Sequence, residues 1–321
     1  MRNLDAQEQA RVRTVLSSTR SGYSHPAYAA SLSQFGTPRH LPRSNGWILE
    51  RPISDSGLRD AMGCYPLFCC EDWTQLKADL DEIGSNSDLV SLVLVAEPFG
   101  QFNPNELKAC FDRVDPYKEH FVTDLQLPIA EVVKPSHRAT VRRAQREVDV
   151  HVCLDAQDKL GIWMDLFGNL VKRHNIDGIR AFSEESFARQ LQVPGTVIFE
   201  ALAGGTTVGM DWWYVQDDVA YGHLVAFNER GYQLRASYAT KWAMITYFAD
   251  KVRWADLGGA PGAGKNGNSG LTQFKQGWSS GTRQAYLCCK VFQQDRYRDL
   301  CEAREIGQTD YFPAYRCLEF Q

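Results

Sequence analysis

The sequence predicts an α+β protein with mixed sheets, built as two tandem units of similar make-up. Three observations carry this. Segments of helical and of strand periodicity alternate along the chain. One stretch, 196–227, reads as three consecutive strands joined by the tight turns Gly204-Gly205 and Gln216-Asp217-Asp218, an antiparallel meander foreign to a doubly wound parallel sheet. And 321 residues exceed one small domain, since domains run to roughly 100–200 residues.

In order, residues 4–16 are expected as a short helix, and 17–46, rich in Ser, Pro, Gly and Arg, as an irregular arm. NGWILERPI reads as a strand. WTQLKADLDEI reads as an amphipathic helix with Leu76, Leu80 and Ile83 on one face, and SLVLVAEPF as a buried strand. Asn103 is placed to cap the helix NELKACFDRV with Pro104 at its first position. HFVTDLQL is a further strand. From Ala130 the order is a basic helix HRATVRRAQRE capped by Ser136, a strand VDVHVCL, and a helix KLGIWMDLFGNLVKRH with Leu160, Met164, Phe167 and Val171 in one stripe. A short helix from Glu184 to Leu191 precedes the meander TVIFEAL, TTVGMDWWY and VAYGHLVAF. After it come the long helix SYATKWAMITYFADK, the buried strand VRWADL, a glycine-rich loop GGAPGAGKNGNSG, the strand TRQAYLCCKVF and a helix near Tyr297 to Arg304. The expected organisation is an arm (1–46), a degenerate first unit (47–129), a second, catalytic unit (130–294), and a terminal helix and tail (295–321) packing back on the first unit.

Composition excludes several classes. Thirty-five basic residues against 39 acidic ones, net charge −4, argue against a broad nucleic-acid surface. Nine cysteines without Cys-x-x-Cys or Cys/His spacing point to reduced, mostly buried thiols and to no metal site. The N-terminal stretch lacks an apolar core of signal-peptide type, and the run Leu89 to Ala96 is too short to span a bilayer, so a cytoplasmic protein is expected.

From Ala130 onward the order of elements is similar to that of the GNAT (Gcn5-related N-acetyltransferase) fold. The helix residues Trp242-Ala243-Met244-Ile245-Thr246-Tyr247, the strand ending in Gly258-Gly259, and Gly270-Leu271 leading to Phe274-Lys275-Gln276-Gly277-Trp278 resemble the C-terminal signature of the Fem family. The basic helix resembles the Arg-rich helix that opens that family's second domain. Fem enzymes move an amino acid from aminoacyl-tRNA onto the peptidoglycan precursor peptide, and a broader Fem-like branch of acetyltransferases occurs with bacterial polysaccharide genes. The resemblance covers roughly residues 130–292 and lacks the long helical hairpin that some members insert. It implies two tandem GNAT-like units and an N-acyltransferase. The donor would be acyl-CoA or aminoacyl-tRNA, bound as co-substrate with no tightly held cofactor. The acceptor would be an amine on a cell-envelope, polysaccharide or peptide precursor.

Acyl transfer to an amine needs a proton acceptor, a partner for the oxyanion and an aligned leaving group. The resemblance places the acyl group beside TTVGMDWWY and VAYGHLVAF, where two strands splay. Period-two alternation puts Asp211, Trp213 and Val215 on one face, Trp212 and Tyr214 on the other, and Tyr221, His223 and Val225 together. Asp211 and His223 are thus candidate proton acceptors. Lys275 matches the lysine of the family's Phe-Lys pair and would meet the oxyanion or donor phosphate, with Phe274 beside it. Arg138, Arg142 and Arg146 fall at i, i+4, i+8 and suit phosphates, as do Arg173 and His174 at another helix end. Trp213, Tyr221 and Tyr238 complete the expected donor and substrate contacts. In place of the Q/R-x-x-G-x-G/A loop of CoA-binding GNAT enzymes stands NERGYQLRASYATK, with Gln233 and Ala236 but not the glycines. Two other readings compete: a non-catalytic glycan- or peptide-binding module using Trp212, Trp213, Tyr214 and Trp278, and a P-loop built on Gly259 to Asn266. The second lacks the hydroxyl residue and the following helix that a P-loop needs.

Overall fold

A computed structural model describes residues 20–86, 88–153, 155–174, 181–259 and 270–319, without the side chains of 173 and 174. The helix expected at 4–16, the P-loop-like stretch 260–266 and the side chains of Arg173 and His174 lie outside the described residues. Along the chain the principal elements are α1 (Pro26–Ser31), β1 (Thr37–Leu41), β2 (Gly46–Pro52), β3 (Arg59–Gly63), α2 (Leu76–Asn86), β4 (Leu89–Ala96), α3 (Pro104–Cys110) and β5 (Arg113–Asp124). There follow α4 (Ile129–Val132), α5 (Pro135–Ala144), β6 (Asp149–Cys153), α6 (Leu160–His174), α7 (Glu184–Gln190), β7 (Thr196–Ala203), β8 (Thr206–Gln216) and β9 (Val219–Phe227). The chain continues through α8 (Glu229–Gln233), α9 (Ala236–Phe248), β10 (Trp254–Gly259), α10 (Gly270–Gln276), β11 (Gly281–Val291) and α11 (Gln294–Ala303).

The chain divides into two compact units: Pro26–Lys118 with Gln284–Gln321, and Glu119–Arg283 with, of the described residues, 20–25. Each repeats one strand pattern. In the first unit β1, β2 and β3 form an antiparallel meander, β3 pairs parallel with β4, and β4 pairs antiparallel with β11. In the second β6, β7, β8 and β9 form the meander, β9 pairs parallel with β10, and β10 pairs antiparallel with β5. A helix, α2 or α9, joins the two parallel strands in each case, as a parallel crossover requires. Both units are therefore α+β with mixed sheets.

Several local expectations are met by an identifiable cause. Asn103 accepts from the N–H groups of Asn105 and Glu106, Glu106 reaches back to the Asn103 N–H, and Pro104 opens α3. The first unit's core gathers Leu76, Leu80 and Ile83 of α2 with Leu89, Leu92 and Leu94 of β4. Burying each such side chain contributes about 1.5–3 kcal/mol. The second unit's core is larger in aromatics, with Trp213, Phe199, Phe248 and Trp278 packed around Met244.

Other expectations are corrected. The segment 17–46 is not wholly irregular: α1 lies in it, and Thr37–Leu41 pairs with β2 across a turn in which Asn45 takes a left-handed φ of 61°. The strand holds Pro38, which β1 tolerates as the outermost strand of its sheet. β3 and α8 were not foreseen, being five residues each, too short for a periodicity signal. α5 is preceded by Lys134 as its N-cap, so Ser136 sits inside the first turn rather than at the cap. α5 also ends at Ala144, which leaves Arg146 beyond the stripe begun by Arg138 and Arg142.

The faces of β8 and β9 differ from simple alternation. A bulge shifts the register between Trp212, opposite Leu224, and Trp213, opposite Gly222, so His223 is the extra residue. Val225 then pairs with Asp211 and leaves the face that holds Tyr221 and His223.

Candidate active site

β8 and β9 stay paired from Gln216 and Val219 to Gly209 and Phe227, so the splay does not lie between them as expected. It lies between β9 and β10. Their parallel pairing covers only Val219 to Tyr221 against Trp254 to Asp256, and beyond that the two strands have no ladder contact. In the first unit, by contrast, the parallel pairing of β3 with β4 continues to Met62 opposite Val93, next to the last residue of β3.

The end of β10 shows why the strands part. Asp256 turns its side chain onto its own backbone, Oδ1 accepting the Gly258 N–H at 2.7 Å, and Gly258 takes φ +76°. An Asx turn followed by glycine bends a strand out of its ladder. On the β5 side the register shifts between Asp256, opposite Val122, and Gly259, opposite His120. The other carboxylate oxygen of Asp256 accepts from His120 Nδ1 at 2.8 Å. Both residues are buried, Asp256 at 2% and His120 at 8% exposure.

Lys275 reaches the same point from α10, its Nζ donating to the Gly259 carbonyl at 2.7 Å. A Cβ placed on Gly258 would lie 3.3 Å from that ammonium. α10 is held from below. His137 of α5 donates Nε2–H to the Phe274 carbonyl at 3.1 Å, and its ring packs edge-on against Trp278 and Tyr238. Burial holds His137 below its ordinary value, against the pull of the Phe274 carbonyl and with that of Lys134. The Lys134 N–H donates to Gly277 O, and Thr123 Oγ1 donates to Trp278 O at 2.7 Å. Gly277 is obligatory for this arrangement, because a Cβ there would stand 2.1 Å from His137 Nε2. Gly277→Ala is expected to push His137 aside, destabilise the protein by about 1–3 kcal/mol as overpacking does, and lower any activity that depends on Lys275. Urea unfolding midpoints measure the first effect.

The remaining candidates separate. Asp211 is 1% exposed and holds Lys241 of α9 through both oxygens, at 2.8 and 2.7 Å, while Trp213 Nε1 donates to Oδ1 at 2.8 Å. The Lys241 ammonium also sits 4.5 Å from the centre of the Trp213 ring. Asp211 is thus the buried anchor of α9 on β8, with its oxygens already engaged. His223 lies on the opposite face, accepting at Nδ1 from the Tyr23 hydroxyl at 3.1 Å and donating Nε2–H to Gln190 Oε1 at 2.9 Å. Desolvation pushes it down to about 3, which makes it a weak base, and the Tyr23 hydroxyl occupies its lone pair. Asp211 and His223 are not brought together.

His223 should make the fold acid-sensitive. Its folded pKa lies below the ordinary value of about 6.5, so the unfolded chain binds the extra proton first. Stability is complete above about pH 6.5 and declines as pH falls toward 3, by on the order of 4 kcal/mol from this group. His223→Gln is expected to flatten that slope, which urea titrations at a series of pH values would read.

Trp213 and Tyr221, expected as substrate contacts, are buried at 0% and 2%. Trp212, Tyr214 and Trp278 are also at 0%, so none of the four rings proposed for a glycan face can present itself to one. Arg138 is half-buried and donates to Ala130 O at 2.6 Å, while Arg142 is exposed. Tyr238 and Phe274 are partly exposed and meet edge-to-face, 5.0 Å between ring centres, beside Lys275. The segment before α9 is also no open loop. Asn228 accepts the Gly231 N–H at 2.9 Å, and the N–H groups of Tyr232, Leu234 and Arg235 bond to Asn228, Arg230 and Tyr232 carbonyls.

His120, Asp256, His137 and Lys241 were not singled out by sequence. The signal available was an Asp inside the buried strand VRWADL, where an ionised group needs a partner. The partner is 136 residues away and carries no local mark.

Residues 135–276 match the family model described as an acetyltransferase (GNAT) domain. FemX aligns with a TM-score of 0.65 and 13% identity, over 93% of this chain and 99% of that one. The C-terminal domain of a putative lysylphosphatidylglycerol synthetase from Agrobacterium fabrum aligns with a TM-score of 0.61 and 16% identity, over 93% and 95%. L-PGS from Bacillus licheniformis gives 0.59 and 16%, over 95% and 98%. No curated protein matches the sequence. The second unit therefore carries a GNAT acetyltransferase-type domain over 135–276. The whole chain shares its fold with FemX. Among the described residues no helix is long and apolar enough to cross a membrane. All nine cysteines are free thiols, most of them buried.

Proposed function

We propose that the second unit transfers an acyl or aminoacyl group to a primary amine in the gap between β9 and β10, with Lys275 meeting the negative charge that develops on the carbonyl oxygen. The observation that carries this reading is the coincidence of two features. The parallel ladder ends at Tyr221 and Asp256, and Lys275 is anchored at Gly259, on the strand that bends away. An acyl group lying between the strands would find the edge of β9 that has no β10 ladder partner on one side and an ammonium at its end. A fixed cation in a partly dry site stabilises an oxyanion far better than water does. Tyr238 and Phe274 would form an apolar wall beside it.

For the donor, the bonding of 228–235 favours an aminoacyl ester over CoA. The N–H groups of Gly231, Tyr232, Leu234 and Arg235 in this segment are already engaged within the chain. Arg142, exposed on a helix that packs against α9, is the cation proposed to meet donor phosphate. The acceptor class, an amine on an envelope, polysaccharide or peptide precursor, rests on the resemblance to Fem enzymes. FemX and a lysylphosphatidylglycerol synthetase domain share the fold, which is consistent with aminoacyl transfer.

The test incubates purified protein and a mixture of primary amines with acetyl-CoA or with charged tRNA, and follows amide products by mass spectrometry. An amide formed faster from charged tRNA supports the proposal in full. Formation from acetyl-CoA alone would reverse the donor assignment. If neither donor is bound or consumed, the acyl-transfer reading fails.

A further inference from the structure

We propose that His120 and Asp256 are the proton-accepting pair of this reaction, His120 Nε2 taking the proton of the attacking amine while Asp256 fixes the ring. The proposal rests on the acyl-transfer reading above and adds the residues that perform its proton transfer.

The pair stands at the mouth of the gap. His120 on β5 is the ladder partner of Gly259, whose carbonyl accepts from Lys275. Asp256 is the last residue of β10 paired with β9. The carboxylate cannot rotate, since one oxygen takes the Gly258 N–H at 2.7 Å and the other takes His120 Nδ1 at 2.8 Å. A carboxylate only accepts, so Nδ1 carries the proton and the neutral ring presents a lone pair at Nε2. Among the described residues nothing hydrogen-bonds to that Nε2, although His120 is only 8% exposed. Two other histidines of this unit differ. His223 has both nitrogens engaged, and His137 spends its Nε2 proton on the Phe274 carbonyl. An imidazole that is oriented by a buried carboxylate, and otherwise unemployed, is arranged for proton transfer.

The step balances as follows. The neutral amine nitrogen attacks the donor carbonyl carbon, forming the C–N bond, and the carbonyl electron pair moves onto oxygen beside Lys275. The amine proton passes to His120 Nε2. Collapse of the tetrahedral species breaks the C–O bond of an ester, or the C–S bond of a thioester. The electron pair departs with the donor, and the imidazolium returns the proton to it. The products are an amide and the donor's free hydroxyl or thiol. Asp256 takes no proton in this step and acts only as a positioning residue.

The experiment has two arms. In the first, His120→Gln and Asp256→Asn are compared with the wild type using whichever of charged tRNA or acetyl-CoA the wild type consumes, with a primary amine as acceptor. His120→Gln is expected to lower kcat/KM by about 10²–10⁴-fold and to remove from the acid side of the profile whatever decline is not due to protonation of the acceptor amine itself. Asp256→Asn is expected to lower it less and to displace that decline. A purely structural pair would leave the shape of the profile unchanged, and that result overturns the proposal. In the second arm, nitrogen-15 NMR of the wild type at pH 8.5 reads the tautomer directly, whatever the folding of the variants. His120 with a proton on Nδ1 and none on Nε2 is the expected result. A proton on Nε2 overturns the pair. Should the wild type use neither donor, the acyl-transfer reading falls by itself, and the NMR result still decides the state of His120.

Discussion

Replacing Lys275 by alanine is expected to lower acyl transfer by about two to three orders of magnitude, the usual cost of removing one oxyanion partner, while leaving the fold intact. Lys275 is only half-buried, and its hydrogen bond to Gly259 O lies at the end of β10, away from the core around Met244. Losing it leaves that carbonyl at the edge of the gap without its ammonium, a cost of about 1–3 kcal/mol. Activity and stability should therefore separate. Lys275→Arg provides the control, because it keeps the charge but cannot place one point charge at the same spot; partial activity is expected. Turnover of folded Lys275→Ala equal to wild type would remove the role assigned to it.

The second large effect runs the other way, costing stability. Asp211→Ala is expected to destabilise the protein by about 3–5 kcal/mol, because it strands the Lys241 ammonium in a site where that side chain is 12% exposed. The Trp213 N–H loses its acceptor in the same change. Pairing Asp211→Ala with Lys241→Met should recover much of the loss, since the uncompensated charge is then gone. Urea unfolding of the two single variants and the double variant measures the coupling. If Asp211 were instead the proton acceptor, its replacement would abolish turnover with little change in the unfolding midpoint.

These two residues show what was and was not legible in the sequence. Asp211 and Lys275 were both singled out as polar groups in an apolar or signature-bearing context. Phe274 to Trp278, which holds Lys275, was legible as a contiguous motif, although the glycine in it is required by His137, far off in sequence. The role of Asp211 was not legible, because its partner Lys241 lies on a helix thirty residues on and looks like any solvated lysine. The meander, the long helix and the order of elements were readable because period and turn chemistry are local. The bulge at Trp212 and Trp213 was not, as it depends on which residues of β9 face β8, and it moved Val225 off the face of His223. The place of the splay was equally hidden. It is set by Asp256 folding onto the Gly258 N–H and by His120, met only when β5 pairs with β10. The segment 37–41 was read as irregular because its proline and charges obscure a strand that needs only one ladder partner.

The most direct measurement of the central claim is amide hydrogen exchange of the full chain with and without donor, using acetyl-CoA and a non-hydrolysable aminoacyl-adenosine as probes. The account predicts slowed exchange in peptides covering 222–227 and 257–259, the half of β9 beyond its ladder with β10 and the bent end of β10, with at least one probe. Slowed exchange confined to other segments, or none with either probe at saturating concentration, would contradict it.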